Sequence, residues 1–228
     1  MSDGHDGRSD TPPAASWPRP PDRPCKAAAQ ADLPPALADL HRQVLRAFMA
    51  AGRAPEAAEL RRLASGLGLA PGEAMQRLAD ADLVHTDSST GAVTAAYPLS
   101  GVPTPHVVRV DRGPVLYAMC AIDALGIPLM TGRDGVISSV SPGTGDTITV
   151  QHRAGIWQWH PATAVVLIAD TGGHGPSLRR TCPFITFHAS AEHAGAYLRT
   201  GALAAGRIVS QREAVDAARA EFGRLLTG

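Results

Sequence analysis

The apolar residues of this chain change period near Tyr97, and that change constrains the fold more than any other feature of the sequence. Before it, Leu37, Leu40, Val44 and Phe48 recur at three- and four-residue steps, the stripe of an amphipathic helix that ends at Gly52. A second helix is predicted after Pro55, with Leu60, Leu63 and Leu67 inward, and a third from Pro71-Gly72, with Met75, Leu78 and Leu83 inward. Two extended pieces, Leu83 to Thr86 and Ala92 to Tyr97, then flank the turn Asp87-Ser88-Ser89-Thr90-Gly91, which is a winged-helix pattern. After Tyr97 short runs suited to strands dominate: 107–110, 136–140, 147–152, 164–169 and 184–188, separated by Gly/Pro-rich turns. A buried helix is predicted over Leu116 to Leu125, and another from an N-cap at Ser210 to Leu226, with Ala214, Val215, Ala218 and Phe222 inward. The expected class is α+β: a winged-helix-like three-helix module over 31–98, then a mixed, mainly antiparallel sheet domain with helices over 99–228.

Residues 1–30 are expected to form a disordered, proline-rich extension, because Asp, Gly, Ser and Pro cannot bury enough apolar surface to offset chain entropy. That stretch lacks the apolar core of a secretory signal, and the apolar runs elsewhere are too short to span a bilayer, so a cytoplasmic protein without membrane contact is expected. The 21 Lys+Arg balance 21 Asp+Glu, which removes any general attraction to nucleic acid or anionic lipid. The third helix points the same way. Its polar positions, Glu73, Gln76, Arg77, Asp80 and Asp82, are mostly acidic where phosphate contacts would need cations, so the front module is expected to pack on the second domain and not on DNA.

Three cysteines, Cys25, Cys120 and Cys182, are too few for a disulfide scaffold and lack the paired spacing of a structural zinc site. Cys120 and Asp123 stand three apart in an apolar run, where a helix would put thiol and carboxyl on one face and burial would favour the protonated acid. Read alone, these residues fit two accounts: a soft nucleophile beside a proton donor, or a cysteine buried as a small hydrophobe near a capping Asp. His106, His152, His160, His174 and His188 show no helical metal-binding spacing, and Thr171 to Pro176 lacks the Lys and Ser/Thr of a phosphate loop. That segment is expected to be a mobile loop leading to Cys182. Trp157 and Trp159 alternate as they would on a strand, with packing as their expected role.

The segments Tyr97-Pro98-Leu99-Ser100 with Pro103-Thr104-Pro105-His106, then Leu116 to Leu125, then Thr181-Cys182-Pro183-Phe184 leading into Thr186 to Ser190, resemble in order and spacing the signature of the alkylmercury lyase family. The resemblance runs from about Leu33 to the C-terminus and is strongest at Cys120-x-x-Asp123 and the second cysteine. It places the family's two catalytic cysteines on Cys120 and Cys182 and its catalytic aspartate on Asp123, all three also as the groups that meet mercury. The implied reaction is protonolysis of a carbon–mercury bond to a hydrocarbon and Hg(II), with no organic cofactor, small thiols clearing the product and a mercuric reductase accepting the ion. Additional cysteines found in some members are replaced here by Ser138-Ser139-Val140-Ser141 and Pro183. The rival reading is a non-enzymatic thiol sensor for mercury or another soft metal, and a cysteine hydrolase would require an imidazole beside Cys120. Cys25, outside the shared region, is read as inert or as a mercury scavenger.

Overall fold

The computed structural model describes residues 25–170, 177–200 and 205–226. Four helices open it: α1 (Lys26–Ala31), α2 (Pro35–Ala51), α3 (Ala57–Gly66) and α4 (Pro71–Asp80). The inward stripe of α2 is the predicted one, with Leu37, Leu40, Val44 and Phe48 at most 1% exposed. Pro35 starts that helix where its missing N–H costs nothing, and Gly52 ends it at φ 69, where a side chain would also run into Pro114. Strands β1 (Val84–Thr86) and β2 (Val93–Ala96) form the expected hairpin; the Asp87 carboxylate accepts from the backbone N–H groups of Ser89 and Thr90 and shapes its turn.

The remaining elements are β3 (Leu99–Ser100), β4 (His106–Val110), β5 (Val115–Ala118), α5 (Ala121–Thr131), β6 (Gly135–Val140), β7 (Thr147–Arg153), β8 (Ile156–His160), β9 (Val165–Asp170), α6 (Ser177–Arg180), a 3-10 turn at Cys182–Phe184, β10 (Ile185–His188), α7 (Ala191–Leu198), β11 (Ala205–Val209) and α8 (Gln211–Phe222). They make an eight-stranded sheet, β1-β2-β3-β5-β4-β6-β7-β8, and a three-stranded sheet, β10-β9-β11, with every pairing antiparallel among the described residues. The large sheet crosses residue 98, since β2 pairs with β3 and β3 with β5. A single buried cluster runs from Leu37 and Phe48 of α2 through Leu99 to Ile122 and Leu125 of α5 and Phe222 of α8. The α+β class and the helical front region are as expected.

Helix α5 is the centre of this arrangement. It packs on α8 and on strands β4, β5, β6 and β10, which is why nearly all its residues are buried. Gly126 lets the two helices meet, because a Cβ there would come within 2.3 Å of Phe222 Cδ2. By contrast β6 alternates buried and exposed positions, so that part of the sheet has one face on the core and one in water.

Three expectations need correction. Leu116 to Leu125 is not one helix: 116–118 lie in β5, which is hydrogen-bonded on both edges by β3 and β4, and the helix begins only at Ala121. Phe184 belongs to the 3-10 turn, and its strand starts at Ile185. The extension predicted to residue 30 gives way to α1 at Lys26; residues 1–24 lie outside the described residues, as do His174 and the expected loop at 171–176. Polar contacts add to the burial of Ala29 in holding α1. The Lys26 ammonium bonds the Asp82 carboxylate and carbonyl, each at 2.6 Å, the Lys26 amide donates to Glu221 of α8 at 3.0 Å, and Gln30 bonds the buried His41 ring at 2.7 Å. Trp157 and Trp159 do alternate on a strand, β8; α7 and β11 had no counterpart among the predicted elements.

Candidate active site

Cys120 sits at the junction of β5 and α5 with extended backbone (φ −156, ψ 179) and is the N-cap of α5. Its sulfur takes the place of a capping hydroxyl and accepts from the backbone N–H of Asp123 at 3.4 Å. Asp123 is therefore the third residue of the first helical turn, and the strand-to-helix corner turns its carboxyl back beside the sulfur. Cys182 arrives from the other sheet, at the start of the 3-10 turn that feeds β10. The Sγ of Cys120, a carboxylate oxygen of Asp123 and the Sγ of Cys182 all lie within 4.8 Å of one another. The structure thus brings together all three sequence-predicted residues, 62 positions apart at the extremes, and leaves them 2%, 3% and 5% exposed.

Burial governs their protonation. It pushes the Asp123 carboxyl up from 3.8 to about 7, against hydrogen bonding from the Cys120 thiol and the positive charge of Lys26, which pull it down. Its Oδ2 has no hydrogen-bond partner among the described residues. Burial likewise pushes the Cys120 thiol well above its ordinary value, and the hydrogen bond with Cys182 and the charge of Asp123 add to the effect. A thiol so placed keeps its proton until a soft electrophile displaces it, and it then needs a nearby acceptor. Asp123 is that neighbour.

Two residues outside the predicted trio complete the surroundings. Tyr97, in the tight turn between β2 and β3, is 1% exposed and its hydroxyl lies 3.5 Å from Cys182 Sγ. Burial first, then the facing Cys182, Asp82 and Asp123, raise its phenol well above the ordinary range, so it stays protonated. Lys26 Nζ lies 4.0 Å above the centre of the Tyr97 ring. The sequence held a faint signal for both: Lys26 is the only lysine in the chain, and Tyr97 opens the Tyr-Pro-Leu-Ser motif.

The histidines stand apart. His106 bonds Ser139 at 2.8 Å, His188 bonds Thr186 at 2.9 Å, and His152 bonds the Arg133 carbonyl at 3.1 Å; among the described residues no imidazole joins the thiol–carboxyl cluster. That removes the partner a cysteine hydrolase would use among those residues. Cys25 is half-buried as the N-cap of α1, its sulfur accepting from the Ala28 amide at 3.4 Å.

Comparison with known proteins converges on one group. Residues 99–223 match the family model of alkylmercury lyase. An alkylmercury lyase from Staphylococcus epidermidis is 45% identical over 74 residues, covering 32% of this chain and 33% of that protein. One from Bacillus cereus is 33% identical over 129 residues, 56% of each chain, and one from Clostridium butyricum matches to the same extent. The chain thus matches between a third and just over half of the length of these curated relatives. In three dimensions it is similar to the crystal structure of a mercury-bound form of MerB2, with a TM-score of 0.71 and 22% identity over 88% of this chain and 96% of that one. At that identity the likeness speaks to the fold.

Proposed function

This chain belongs to the alkylmercury lyase family, and from that premise we propose that it cleaves the carbon–mercury bond of organomercurials, releasing a hydrocarbon and Hg(II). The observation that carries the reading is the cluster itself: two sulfurs and one carboxyl oxygen, all within 4.8 Å of one another and shut away from water. Mercury is a soft cation and prefers sulfur, so two thiolates converging from separate sheets hold it where oxygen ligands would not. A carboxyl that titrates at about 7 can both take a proton from a thiol and give one to carbon near neutral pH.

One thiol replaces the leaving ligand of the substrate and forms a sulfur–mercury bond, its proton departing with that ligand. The second thiol gives its proton to the Asp123 carboxylate and binds the same mercury. Donation from both sulfurs raises electron density on the bound carbon. Asp123 then delivers its proton there: the carbon–mercury bond breaks, its electron pair forms the new carbon–hydrogen bond, the hydrocarbon leaves, and Hg(II) stays on Cys120 and Cys182 with Asp123 again a carboxylate. Small thiols remove the ion by exchange, and a mercuric reductase is the partner proposed to receive it, as in a mercury-resistance pathway. No organic cofactor takes part in this scheme.

The deciding experiment incubates purified protein with a phenylmercury compound and excess small thiol and measures benzene. Repeated turnover is expected, with loss of about a hundredfold or more in Cys120→Ser, Cys182→Ser and Asp123→Asn. Binding of one equivalent without benzene would identify a mercury-binding protein instead and refute the lyase reading.

A further inference from the structure

The two cysteines are not held alike. Cys120 Sγ is pinned within its own turn by the Asp123 amide, whereas the described contact that fixes Cys182 Sγ from outside the thiol–carboxyl cluster is the Tyr97 hydroxyl at 3.5 Å. Tyr97 is itself firmly seated. Its amide donates to the Leu83 carbonyl at 3.0 Å, its ring meets His85 edge-on at 5.5 Å between centroids, and Lys26 covers the face at 4.0 Å while bonded to Asp82. The phenol therefore reaches from the β2–β3 turn of the large sheet to a sulfur in the 3-10 turn that leads into the other sheet.

We propose that Tyr97 is a positioning residue that donates its phenolic hydrogen bond to Cys182 and keeps that sulfur turned toward Cys120 and Asp123, with Lys26 clamping the ring. A cysteine sulfur has three staggered wells about χ1, and a shared metal is held only from a well that points into the cluster. A hydrogen bond to a charged sulfur is stronger than one between neutral groups, so the arrangement gains strength once mercury has displaced the thiol proton. This deepens the function proposed above and rests on it for its catalytic consequence, but not for the capture of the ion.

The test uses Hg(II) itself, in the full chain with Cys25→Ser to remove the third thiol while keeping a capping side chain. Affinity is read by competition with a small dithiol, followed by the ultraviolet absorption of the mercury–thiolate bonds. Tyr97→Phe keeps the ring and removes one oxygen, and is expected to weaken Hg(II) binding by about tenfold to a hundredfold. In a Cys182→Ser background, where one cluster sulfur remains, the same change is expected to alter binding by less than about twofold, because Tyr97 acts through Cys182. Equal weakening in both backgrounds, or no weakening in either, overturns the proposal. Should Tyr97→Phe melt too low for the titration, Lys26→Met leaves the hydroxyl but frees the ring, and about threefold weaker binding, again only with Cys182 present, is expected; no change there also overturns it. Because ion capture and hydrocarbon release are separate readouts, absence of benzene in the parent protein sinks the lyase reading without touching this one.

Discussion

Replacing Asp123 by Asn should abolish cleavage and yet make the protein more resistant to alkali, because the fold holds this carboxyl against its preference to ionise. Its value is 3.8 when free and about 7 in the folded chain, with burial the largest cause. A raised carboxyl is an asset to folding only while protonated: its contribution is fully present below the free value of 3.8 and is lost as pH rises through the folded value of about 7. The gap of about three units corresponds to about 4 kcal/mol at about 1.4 kcal/mol per unit. Between about pH 5 and about pH 8 this group alone should cost the parent protein about 2–3 kcal/mol, and Asn costs nothing that depends on pH. The amide brings its own penalty. Among the described residues Oδ2 has no hydrogen-bond partner, so an NH2 placed there is unsatisfied, at a pH-independent cost of about 1–3 kcal/mol. Urea melts of both proteins at several pH values separate the two effects, because all other titrating groups are shared and cancel in the difference. The variant should gain on the parent steadily as pH rises from about 4 to about 7 and then hold level. A difference that stays flat across that range would mean that Asp123 is ionised in the fold at all these pH values, and the proton-relay argument would fail with it.

Lys26 pulls the Asp123 carboxyl down, so in Lys26→Met the pH at which that stability difference levels off should move upward, measured by the same melts against a Lys26→Met/Asp123→Asn protein. At Gly126→Ala the new methyl meets the Phe222 ring at 2.3 Å, which forces α8 off α5 and should cost about 1–3 kcal/mol in a denaturant titration; Phe222→Leu in the same chain should restore part of the loss by opening that space.

How much of this the sequence could show depends on whether a signal is local. The α2 stripe and the Ser210 cap of α8 are local, since three- and four-residue spacing and a Ser-x-x-Glu capping box are written within one element, and both appear where expected. The stretch 116–125 is not local in that sense. A run of apolar residues suits a buried strand as well as a buried helix, and what makes 116–118 a strand is the presence of β3 and β4 on its two edges. That error changes the chemistry. On a continuous helix, Cys120 and Asp123 would merely share a face; at a strand-to-helix corner the sulfur caps the helix and the carboxyl is folded back against it, with the first-turn amide of Asp123 aimed at the sulfur. Positive charge from the helix N-terminus and that amide favour a thiolate there, while burial opposes it. The balance leaves Cys120 protonated, which is why the proposed capture of mercury calls for a neighbouring acceptor. Lys26 and Tyr97 were harder to find for a related reason. A lysine at the edge of a proline-rich tail has no local pattern to mark it, and only the fold shows that it is buried against Asp82, above the ring whose hydroxyl meets the second sulfur.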